Sequence, residues 1–503
     1  MTVYDSVVIG AGNGGLTAAL GLARAGVKTL LLERHNIPGG CATSFVRGRF
    51  EFEVALHQLS GMGTESFPGP LRDMLTRLEI IDRLEFVQMP NLYRLVIPDR
   101  LDITLKAERA AAADSLKARF PAEAEAIDRF FDLVYEYCAQ WVGVTIFKDP
   151  EASPEKYPTF FKYAFKPSQG ILDDFFQDPL LKTTLGIYWC YQGMPPSRLS
   201  FGDFAIVLWA YIEFKPFHIK GGSQALSNTL LDAYLQAGGD VRFNCGAREI
   251  LVADGRTTGV VTETGDRIDT GHVVSNASTL TTYVDLIDKA HVPEGRLREL
   301  GARTVGTSFV NIFLGFDCEP SDLGITETTN FLATNSDIEE VYRKTRTLSA
   351  PEAMLFTCYD VDDPDFSPPG ACQATLVGLV YAEPWLSVPP HQYFDTKNHI
   401  AGQMLETLYR VFPKCRDHIE ELEIGTPVTH MRYLGHPGGA AYGFDQHTKD
   451  NEFFLDRKSP IKGLFHVGAW SGAGGFQPTL MSGFSTSRAV VRSLQSCEGG
   501  QHG

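Results

Sequence analysis

Short apolar runs and one helical period alternate along the first forty positions of the chain. Residues 7–9 and 28–32 are apolar runs, and between them residues 16–25 repeat apolar side chains every three to four positions. Short apolar runs near glycines are typical of buried parallel strands, and a 3.6-residue period is typical of a helix. This order predicts strand, helix and strand, the start of a doubly wound α/β fold.

Three glycines separate the first predicted strand from the helix. Gly10, Gly12 and Gly15 form a G-x-G-x-x-G motif that also contains Gly14, and Glu33 ends the second strand. Such a loop turns tightly and lets the backbone approach a pyrophosphate at the helix start, while the acidic residue is placed for ribose hydroxyls. The pattern predicts a dinucleotide site, with a merely tight turn as the structural alternative. At this point FAD and NAD are both open.

The remaining pattern divides the chain into regions. Helical periodicity fills 96–217, where residues 130–217 hold 12 Phe, 7 Tyr and 3 Trp, a quarter of that stretch against 11% aromatic residues overall. Strand patterns return over 218–300, and strands with one helix occupy 301–428. We therefore predict a nucleotide domain in three pieces (1–95, 218–300 and 429–503), a substrate sheet (301–428) and an aromatic helical region (96–217) that forms either a lid over an apolar ligand or an ordinary core.

Composition excludes several classes of partner. The formal net charge of −16 argues against nucleic acid, whose binding depends on neutralising phosphates. The nine cysteines are scattered and show no CxxC pair, which favours a reducing, cytoplasmic setting and indicates no metal site. We see no apolar run long enough to span a bilayer, although residues 157–165 could contact a membrane surface peripherally.

A second glycine pair, Gly39 and Gly40, follows the second strand in "RHNIPGGCATSF". With these residues the chain resembles the FAD-dependent amine-oxidase-like superfamily, in which such a loop follows the dinucleotide motif. Among its phytoene desaturase, carotenoid isomerase and retinol saturase members, "GGCATSFVRGRFEFEVALHQLSG" is similar to the carotenoid isomerase and retinol saturase branch, because bacterial phytoene desaturases have arginine after GG. Cys41 stands where the common amine-oxidase versions have arginine, and residues 53–55 replace the branch's usual Asp-x-Gly.

This resemblance implies FAD as the cofactor. It implies a discontinuous Rossmann-type FAD-binding domain joined to an α+β substrate domain with an aromatic-rich helical lid. It places Ile250, in "REILV", at the adenine, and we include Arg34, next to Glu33, among the cofactor contacts.

The C-terminal stretch "GLFHVGAWSGAGGFQPTLMSG" predicts a strand ending at Gly468, a loop of small residues and a helix starting at Pro478. The free N–H groups of a helix start favour negative charge. In the superfamily this helix start faces the flavin pyrimidine edge, so the resemblance implies that it stabilises the reduced anionic flavin as an oxyanion hole would. The predicted cofactor contacts here are Gly468, Ala469, Gly475, Pro478, Thr479 and Leu480.

His57, Glu213 and Tyr442 are the candidate catalytic residues. His57 matches the histidine of the branch's GxH-like segment and could protonate a carbanion-like centre, with a structural hydrogen bond as the alternative. Glu213 lies among aromatic residues, where a buried carboxyl could hold a proton, with pairing to Lys215 as the alternative. Tyr442, in "AAYG", is expected to line the flavin face. Three further residues receive a structural interpretation: His218, Arg432 and Tyr433.

The resemblance extends over essentially the whole chain and implies a long apolar polyene or isoprenoid substrate. The implied reaction is desaturation, saturation or cis–trans isomerisation by hydride exchange at flavin N5, which requires positioning and exclusion of water more than acid–base groups. Two alternatives stay open: an FAD-dependent amine or CH–X oxidase, and a non-enzymatic prenyl-lipid-binding protein of the Rab GDP-dissociation-inhibitor type. The electron partner is not indicated.

Overall fold

A computed structural model describes residues 4–450 and 458–499. The strands are β1 Ser6–Ile9, β2 Thr29–Leu32, β3 Ser44–Arg47, β4 Phe50–Glu53, β5 Phe86–Gln88, β6 Asn91–Ile97, β7 Leu101–Lys106, β8 Phe217–Ile219, β9 Asp240–Arg242, β10 Ala247–Ala253, β11 Arg256–Thr262, β12 Arg267–Asp269, β13 Val273–Ser275, β14 Ser308–Phe316, β15 Thr329–Ala333, β16 Ala353–Cys358, β17 Cys372–Val380, β18 Ile419–Gly425 and β19 Leu464–His466.

The helices are α1 Asn13–Arg24, α2 Pro70–Arg77, α3 Arg109–Arg119, α4 Ala124–Trp141, α5 Pro158–Tyr163, α6 Ser168–Phe175, α7 Pro179–Gly186, α8 Trp189–Gln192, α9 Phe201–Glu213, α10 Gly222–Gln236, α11 Glu294–Gly301, α12 Pro320–Leu323, α13 Ile338–Lys344, α14 Ala382–Leu386, α15 Tyr393–Val411, α16 Pro427–Leu434 and α17 Phe476–Gly499. In the part of the chain that the structure describes, none of these helices has both the length and the apolar character needed to cross a membrane.

A five-stranded sheet has the order β19-β13-β1-β2-β9, with all neighbouring strands parallel. The apolar runs predicted at residues 7–9 and 28–32 are β1 and β2, and both are fully buried, as strands of a covered parallel sheet should be. The five strands come from three separated stretches of the chain, so this sheet is assembled only after distant segments meet. The predicted α/β class with a discontinuous Rossmann-type sheet is confirmed.

A seven-stranded sheet has the order β18-β14-β17-β16-β15-β6-β7 and is antiparallel except between β6 and β15. On one face, Leu376 packs with Met404 of α15 in a buried cluster. On the other face, Phe331 and Leu355 pack with helices α3–α9. Because both faces are covered, the sheet is the centre of the second half of the molecule.

Two predicted domain limits divide strands, and one of them, between residues 217 and 218, falls inside β8. The limit between residues 95 and 96 falls inside β6, and β6 and β7 pair with each other and with β15 in the seven-stranded sheet. Residues 91–106 therefore extend the substrate sheet instead of closing the first piece of the nucleotide domain. A strand pattern shows that a segment joins a sheet and does not show which one, because its partner is distant in sequence. The other two limits stay predictions.

The aromatic-rich segment forms the helical layer α4–α9. Phe130 lies at its centre, with ring centroids of Phe175, Phe176, Phe201 and Phe204 between 5.2 and 6.5 Å away in edge-to-face arrangements. These phenylalanines fill an ordinary core. Three tyrosines of the segment, Tyr188, Tyr191 and Tyr211, lie on the side that faces the seven-stranded sheet, where Tyr188 and Tyr191 meet Phe331 of β15. We call these three residues the tyrosine wall, and they form part of the candidate site.

Candidate active site

The turn between β1 and α1 holds the first glycine motif. Gly10 has a φ of +92°, and a side chain at Gly15 would overlap the Gly10 carbonyl oxygen, so this turn needs glycine at both positions. Gly12 precedes α1 and gives it no side-chain cap, which leaves the N–H groups of the first turn, including that of Gly14, available to a phosphate. The buried Oδ1 of Asn13 has no partner in the described part of the chain, and a ligand hydroxyl would supply one.

Asn276 lies between this motif and the C-terminal loop. Its N–H donates to the Ile9 carbonyl oxygen at 2.8 Å, and its side-chain amide lies against Gly12, Gly14 and Gly468. Sequence reasoning recognised the strand that precedes Asn276 but did not name the residue. The available signal was its place just after β13, at the carboxyl edge of a parallel sheet, where such folds bind ligands.

Glu33 ends β2 beside the glycine motif. Its carboxylate accepts hydrogen bonds from the N–H groups of Ala11 at 2.6 Å and His35 at 2.8 Å, and the residue is only 7% exposed. These bonds fix the carboxylate at the carboxyl end of β2. The position agrees with the ribose role that the sequence predicted for Glu33.

The predicted adenine contact at Ile250 is not favoured by its surroundings. Ile250 is 1% exposed within a buried apolar cluster, and its N–H donates to the Leu286 carbonyl oxygen at 2.6 Å. By contrast, Cys245 donates its N–H to the Glu33 carbonyl oxygen at 2.9 Å, and Ala247 begins β10 two residues later. Residues 245–247 are therefore better placed for the adenine than Ile250.

The second glycine loop packs directly against the first. Gly39 donates its N–H to the Ala11 carbonyl oxygen at 2.8 Å and forms a bridge with Gly12. Its φ is +126°, and a side chain there would overlap the Ala42 carbonyl oxygen, so only glycine fits. Gly40 lies exposed beside Gly12. The two loops, predicted separately, form one surface.

The C-terminal loop differs slightly from its prediction. Helix α17 begins at Phe476, two residues before the predicted start, so Pro478 lies inside the first turn, where a missing N–H costs no intrahelical bond. Thr479 donates its hydroxyl to the Gly475 carbonyl oxygen at 2.8 Å. Residues 471–479 are all partly exposed, which suits a loop that faces a ligand. The other predicted contacts in this stretch are Gly468 with a φ of +84°, Ala469 and the fully buried Leu480.

Residues 57–61 connect the C-terminal loop to the aromatic layer. Ser60 donates its hydroxyl to Gln477 Oε1 at 2.6 Å, next to the start of α17. Gln58 donates to the Leu92 carbonyl oxygen at 2.6 Å and accepts from the Tyr191 hydroxyl at 3.2 Å. Sequence reasoning missed Gln58 and Ser60, although both lie within the histidine-containing stretch on which the resemblance was based.

His57 lies under the seven-stranded sheet. Its Nδ1 is 2.9 Å from the Thr357 hydroxyl of β16. Burial lowers the pKa of His57 to about 4, so the imidazole is neutral at neutral pH. A neutral imidazole can position a group by hydrogen bonding, but it holds no imidazolium proton to give. The structural alternative for His57 therefore fits these surroundings, and its catalytic role stays a prediction.

Tyr442 joins the tyrosine wall to the C-terminal loop. Its hydroxyl donates to the Cys190 carbonyl oxygen at 3.2 Å, its ring meets Phe309 at 6.0 Å, and its main chain lies against Gly474. Burial, with smaller contributions from Cys190, Tyr211 and Cys41, raises the pKa of Tyr442. Tyr442 therefore lies between the predicted flavin loop and the aromatic layer, as expected for a residue on the flavin face.

Glu213 has a different neighbour from the other two candidates. It ends α9, is partly exposed, and accepts a hydrogen bond from Tyr135 of α4. Arg109 packs its guanidinium 4.3 Å from the centre of the Tyr135 ring. This polar group gives Glu213 a structural role, whereas His57 and Tyr442 contact the inner wall.

The three residues given structural interpretations also have partners. His218 is 1% exposed, with Nε2 3.3 Å from Asp363 Oδ2. Arg34 donates to the Arg432 carbonyl oxygen at 3.0 Å, which ties the end of β2 to α16. Tyr433 is 55% exposed. Arg34 is itself exposed, so its contribution to the cofactor site stays a prediction.

The Glu53 segment, where the sequence departs from the branch's pattern, caps a helix. The buried carboxylate accepts from the Ser223 N–H at 2.6 Å and the Ser223 hydroxyl at 2.7 Å, at the start of α10. It also accepts from the N–H groups of Ala55 and Leu56. Burial raises the pKa of Glu53. Where the branch usually has Asp-x-Gly, the longer side chain of Glu53 therefore makes a capping contact, and this contact fixes the segment leading to His57.

The titratable groups around Tyr442 are all held in their neutral forms. Burial raises the pKa of Cys41 to about 11 and raises the pKa values of Cys190, Tyr191 and Tyr211. These groups influence one another and Tyr442, which places them in one region. The wall is thus aromatic and uncharged, and it suits a neutral apolar molecule better than an ionic one.

A family model described as flavin containing amine oxidoreductase matches residues 14–491. The chain belongs to this family. Membership confirms the predicted superfamily resemblance, the cofactor FAD and the assignment as an enzyme of oxidoreductase type. The two glycine loops, the uncapped start of α1 and the partly exposed C-terminal loop fit this cofactor.

Two curated relatives match most of the chain. The all-trans-retinol 13,14-reductase of Danio rerio is 25% identical, over 92% of this chain and 82% of the relative. Prolycopene isomerase 2 of an Oncidium hybrid cultivar is also 25% identical, over 88% of this chain and 75% of the relative. A crystal structure of an oxidoreductase from Methanosarcina mazei is 17% identical, with a TM-score of 0.67 and coverage of 96% of this chain and 99% of that one. This structural likeness confirms the fold.

FAD, when bound, supplies a two-electron exchange with a substrate carbon. The chain's own residues divide the remaining work. The glycine loops and α1 would hold the phosphates and Glu33 the ribose, the start of α17 would offer N–H groups to the flavin, and the tyrosine wall would keep water from the reacting region. Gln58 accepts a hydrogen bond from the Tyr191 hydroxyl at 3.2 Å and so fixes one ring of this wall.

Proposed function

We propose that this enzyme acts on carbon–carbon double bonds of a long apolar polyene of the retinoid or carotenoid class, by saturation or by cis–trans isomerisation. The observation that carries the proposal is the wall of aromatic rings beside the C-terminal loop, in which Tyr191 and Tyr211 stack on Tyr188, Tyr191 meets Phe331, and Tyr442 lies against Gly474. An amine substrate enters as a cation, and Tyr188, Tyr191, Tyr211 and Tyr442 offer no carboxylate to compensate for its lost hydration.

The relatives' names support the same substrate class. One relative is named for reduction of all-trans-retinol and another for isomerisation of prolycopene, and both match along nearly the whole chain. Saturation and isomerisation need the same apolar site and differ in whether two hydrogens are added. The fold is compatible with both reactions and does not favour one over the other.

Product masses test this proposal. The purified, FAD-loaded protein is incubated without oxygen with all-trans-retinol or prolycopene, once with oxidised and once with chemically reduced flavin. A product two mass units heavier indicates saturation, and a product of equal mass with changed retention indicates isomerisation. Hydrogen peroxide formation with amines in a separate incubation in air, together with no change in either polyene, would overturn the proposal.

A pair of variants locates the site. Tyr211→Ala should lower turnover of the polyene at least tenfold, because it removes part of the buried wall. Tyr433→Ala is the matched control, since Tyr433 is 55% exposed and outside the wall. Equal activity of the two variants would contradict the assignment of the wall as the substrate site.

We also propose a peripheral membrane contact on the outer side of the helical layer. Ile146 is 57% exposed, Phe147 78% and Phe161 44%. The two segments that carry them are joined by the hydrogen bond from Tyr157 to Asp149 at 2.7 Å. Exposed apolar side chains next to lysines are typical of proteins that dip into a lipid surface. The lysines of this surface are Lys148, Lys156, Lys162 and Lys166.

Vesicle sedimentation tests the membrane contact. The wild-type protein should sediment with vesicles of phosphatidylcholine containing phosphatidylglycerol, and the double variant Phe147→Ser, Phe161→Ser should lose most of that binding. Phe394→Ser is the control, because Phe394 is 66% exposed on α15, away from this surface. The contact is refuted if the double variant sediments as fully as the wild type.

A further inference from the structure

Three side chains of metal-binding type meet at one end of the seven-stranded sheet, outside the candidate active site. Asp317, Cys318 and His418 each place one ligand atom within 4.8 Å of those of the other two. Asp317 and Cys318 are adjacent, and His418 lies about a hundred residues later in the sequence. The absence of CxxC spacing, which argued against a metal site, has no bearing on a set of this kind.

Strand pairing brings the three residues together. Asp317 and Cys318 directly follow β14, and His418 directly precedes β18, which pairs with β14 in antiparallel register at Phe316 and Ile419. The Asp317 N–H donates to the His418 carbonyl oxygen at 3.1 Å. The positions of all three backbones are therefore fixed by the sheet, so a ligand need order only the side chains.

The side chains are preorganised and accessible. His418 Nδ1 is 2.8 Å from Asp317 Oδ1, with the histidine side chain 40% exposed and the aspartate side chain 54% exposed. A carboxylate that bonds one histidine nitrogen leaves the other nitrogen free to bind a metal ion. Cys318 is half-buried, so its sulfur has restricted contact with solvent.

The electrostatic surroundings favour a cation at Cys318. The carboxylates of Asp317, Glu319 and Asp322 all lie near enough to act on its sulfur electrostatically. Lys414 donates its ammonium to the Asp322 carbonyl oxygen at 2.8 Å, and Arg49 also acts on Asp317. Lys414 and Arg49 therefore offset only part of the negative charge of Asp317, Glu319 and Asp322.

We propose that Asp317, Cys318 and His418 bind a divalent transition-metal ion of the zinc type, with water as the fourth ligand. Thiolate, imidazole and carboxylate are the ligands that zinc prefers, at about 2.3 Å for sulfur and about 2.0–2.2 Å for nitrogen and oxygen. Ligand atoms around such an ion lie about 3–4 Å apart, which side-chain rotation from the present arrangement can reach.

The bound ion would fasten an edge strand. β18 pairs with β14 alone and is the last strand on its side of the seven-stranded sheet. A metal that bridges the end of β14 to the start of β18 stabilises the folded state by its binding free energy, since the unfolded chain does not hold these ligands together. The inferred role is structural and independent of the polyene proposal.

Cobalt spectroscopy on the reduced, FAD-loaded full chain tests the site. Titration with Co²⁺ should give one equivalent of binding and a thiolate-to-cobalt charge-transfer band, and Zn²⁺ should displace the cobalt and raise the melting temperature. This readout needs only the wild-type protein. Absence of the band, or no shift in melting temperature with Zn²⁺, would overturn the proposal.

Variants assign the ligands. Cys318→Ser should remove the charge-transfer band, and His418→Gln should weaken Zn²⁺ binding at least tenfold, with flavin content unchanged as a check of folding. His391→Gln is the matched control, because His391 is exposed in a short helical turn away from β14 and β18. Equal Zn²⁺ affinity of His418→Gln and His391→Gln, or a band that survives Cys318→Ser, would contradict the assignment.

Discussion

The glycine loops and the tyrosine wall approach the same region of the molecule and are built in opposite ways. The loops lie within short segments of chain, and their function depends on main-chain N–H groups and on missing side chains, as at Gly15 and Gly39. The wall and its neighbours are single side chains from distant segments, such as Gln58, Tyr191 and Tyr442. A site of the first kind leaves a motif in the sequence, whereas a site of the second kind exists only after folding.

The largest expected effect comes from Gly15→Ala. The new methyl group would overlap the Gly10 carbonyl oxygen, so β1 and α1 must separate and the phosphate-binding turn is lost. We expect purified protein without flavin absorbance, with secondary structure retained by circular dichroism. Gly402→Ala, in α15 with open space around it, should keep its full flavin content. If the Gly15→Ala protein still binds flavin, the assignment of the glycine loops as the phosphate-binding site is wrong.

A smaller effect is expected from Gln58→Leu beside the wall. The change leaves the Tyr191 hydroxyl without its Gln58 partner, while the buried Leu92 carbonyl oxygen keeps only the longer hydrogen bond from Tyr188, which should cost about 1–3 kcal/mol of unfolding free energy. FAD binding should persist, because the glycine loops are untouched, while polyene turnover falls. Urea unfolding and flavin content measure the two effects separately. If flavin is lost together with activity, the two regions are not independent.

The pH dependence of His57 gives the smallest effect. Its pKa in the folded protein is about 4, below the ordinary value near 6.5, so the unfolded chain takes up a proton first as the pH falls. The folded state should therefore lose stability, relative to the His57→Gln variant, between pH 6.5 and about pH 4, by on the order of 1 kcal/mol per pH unit. Above pH 7 the difference between the two proteins should be constant.

Unfolding curves at pH 7.5, 6 and 5 measure this difference. A difference that does not change over this range would mean that His57 is solvated in the folded protein. A rate profile for polyene turnover with an inflection near pH 6.5 that disappears in His57→Gln would restore His57 as a proton donor.

The sequence located the cofactor region well because its signals are local. Gly10, Glu33 and Gly39 occur within thirty residues of one another, and their spacing reflects one strand–helix–strand unit. The prediction that Ile250 contacts the adenine depended on a contact that is not local. The pattern of β10 shows which residues alternate, but it does not show that the Ile250 N–H bonds to Leu286, which lies in a distant loop. The helix start predicted at Pro478 lies two residues after the observed start of α17, because proline is tolerated anywhere in a first helical turn.

The sequence by itself determined that the chain starts with a dinucleotide-binding unit, that its aromatic residues concentrate in one segment, and that its net charge disfavours polyanions, because each of these follows from composition or from residues a few positions apart. The tertiary structure alone decided that β6 and β7 join the seven-stranded sheet, that Asn276 meets both the first glycine motif and the C-terminal loop, and that Cys318 faces His418. These contacts are made by strand pairing and packing between residues that are far apart in the chain, and no local preference encodes which partner will be chosen.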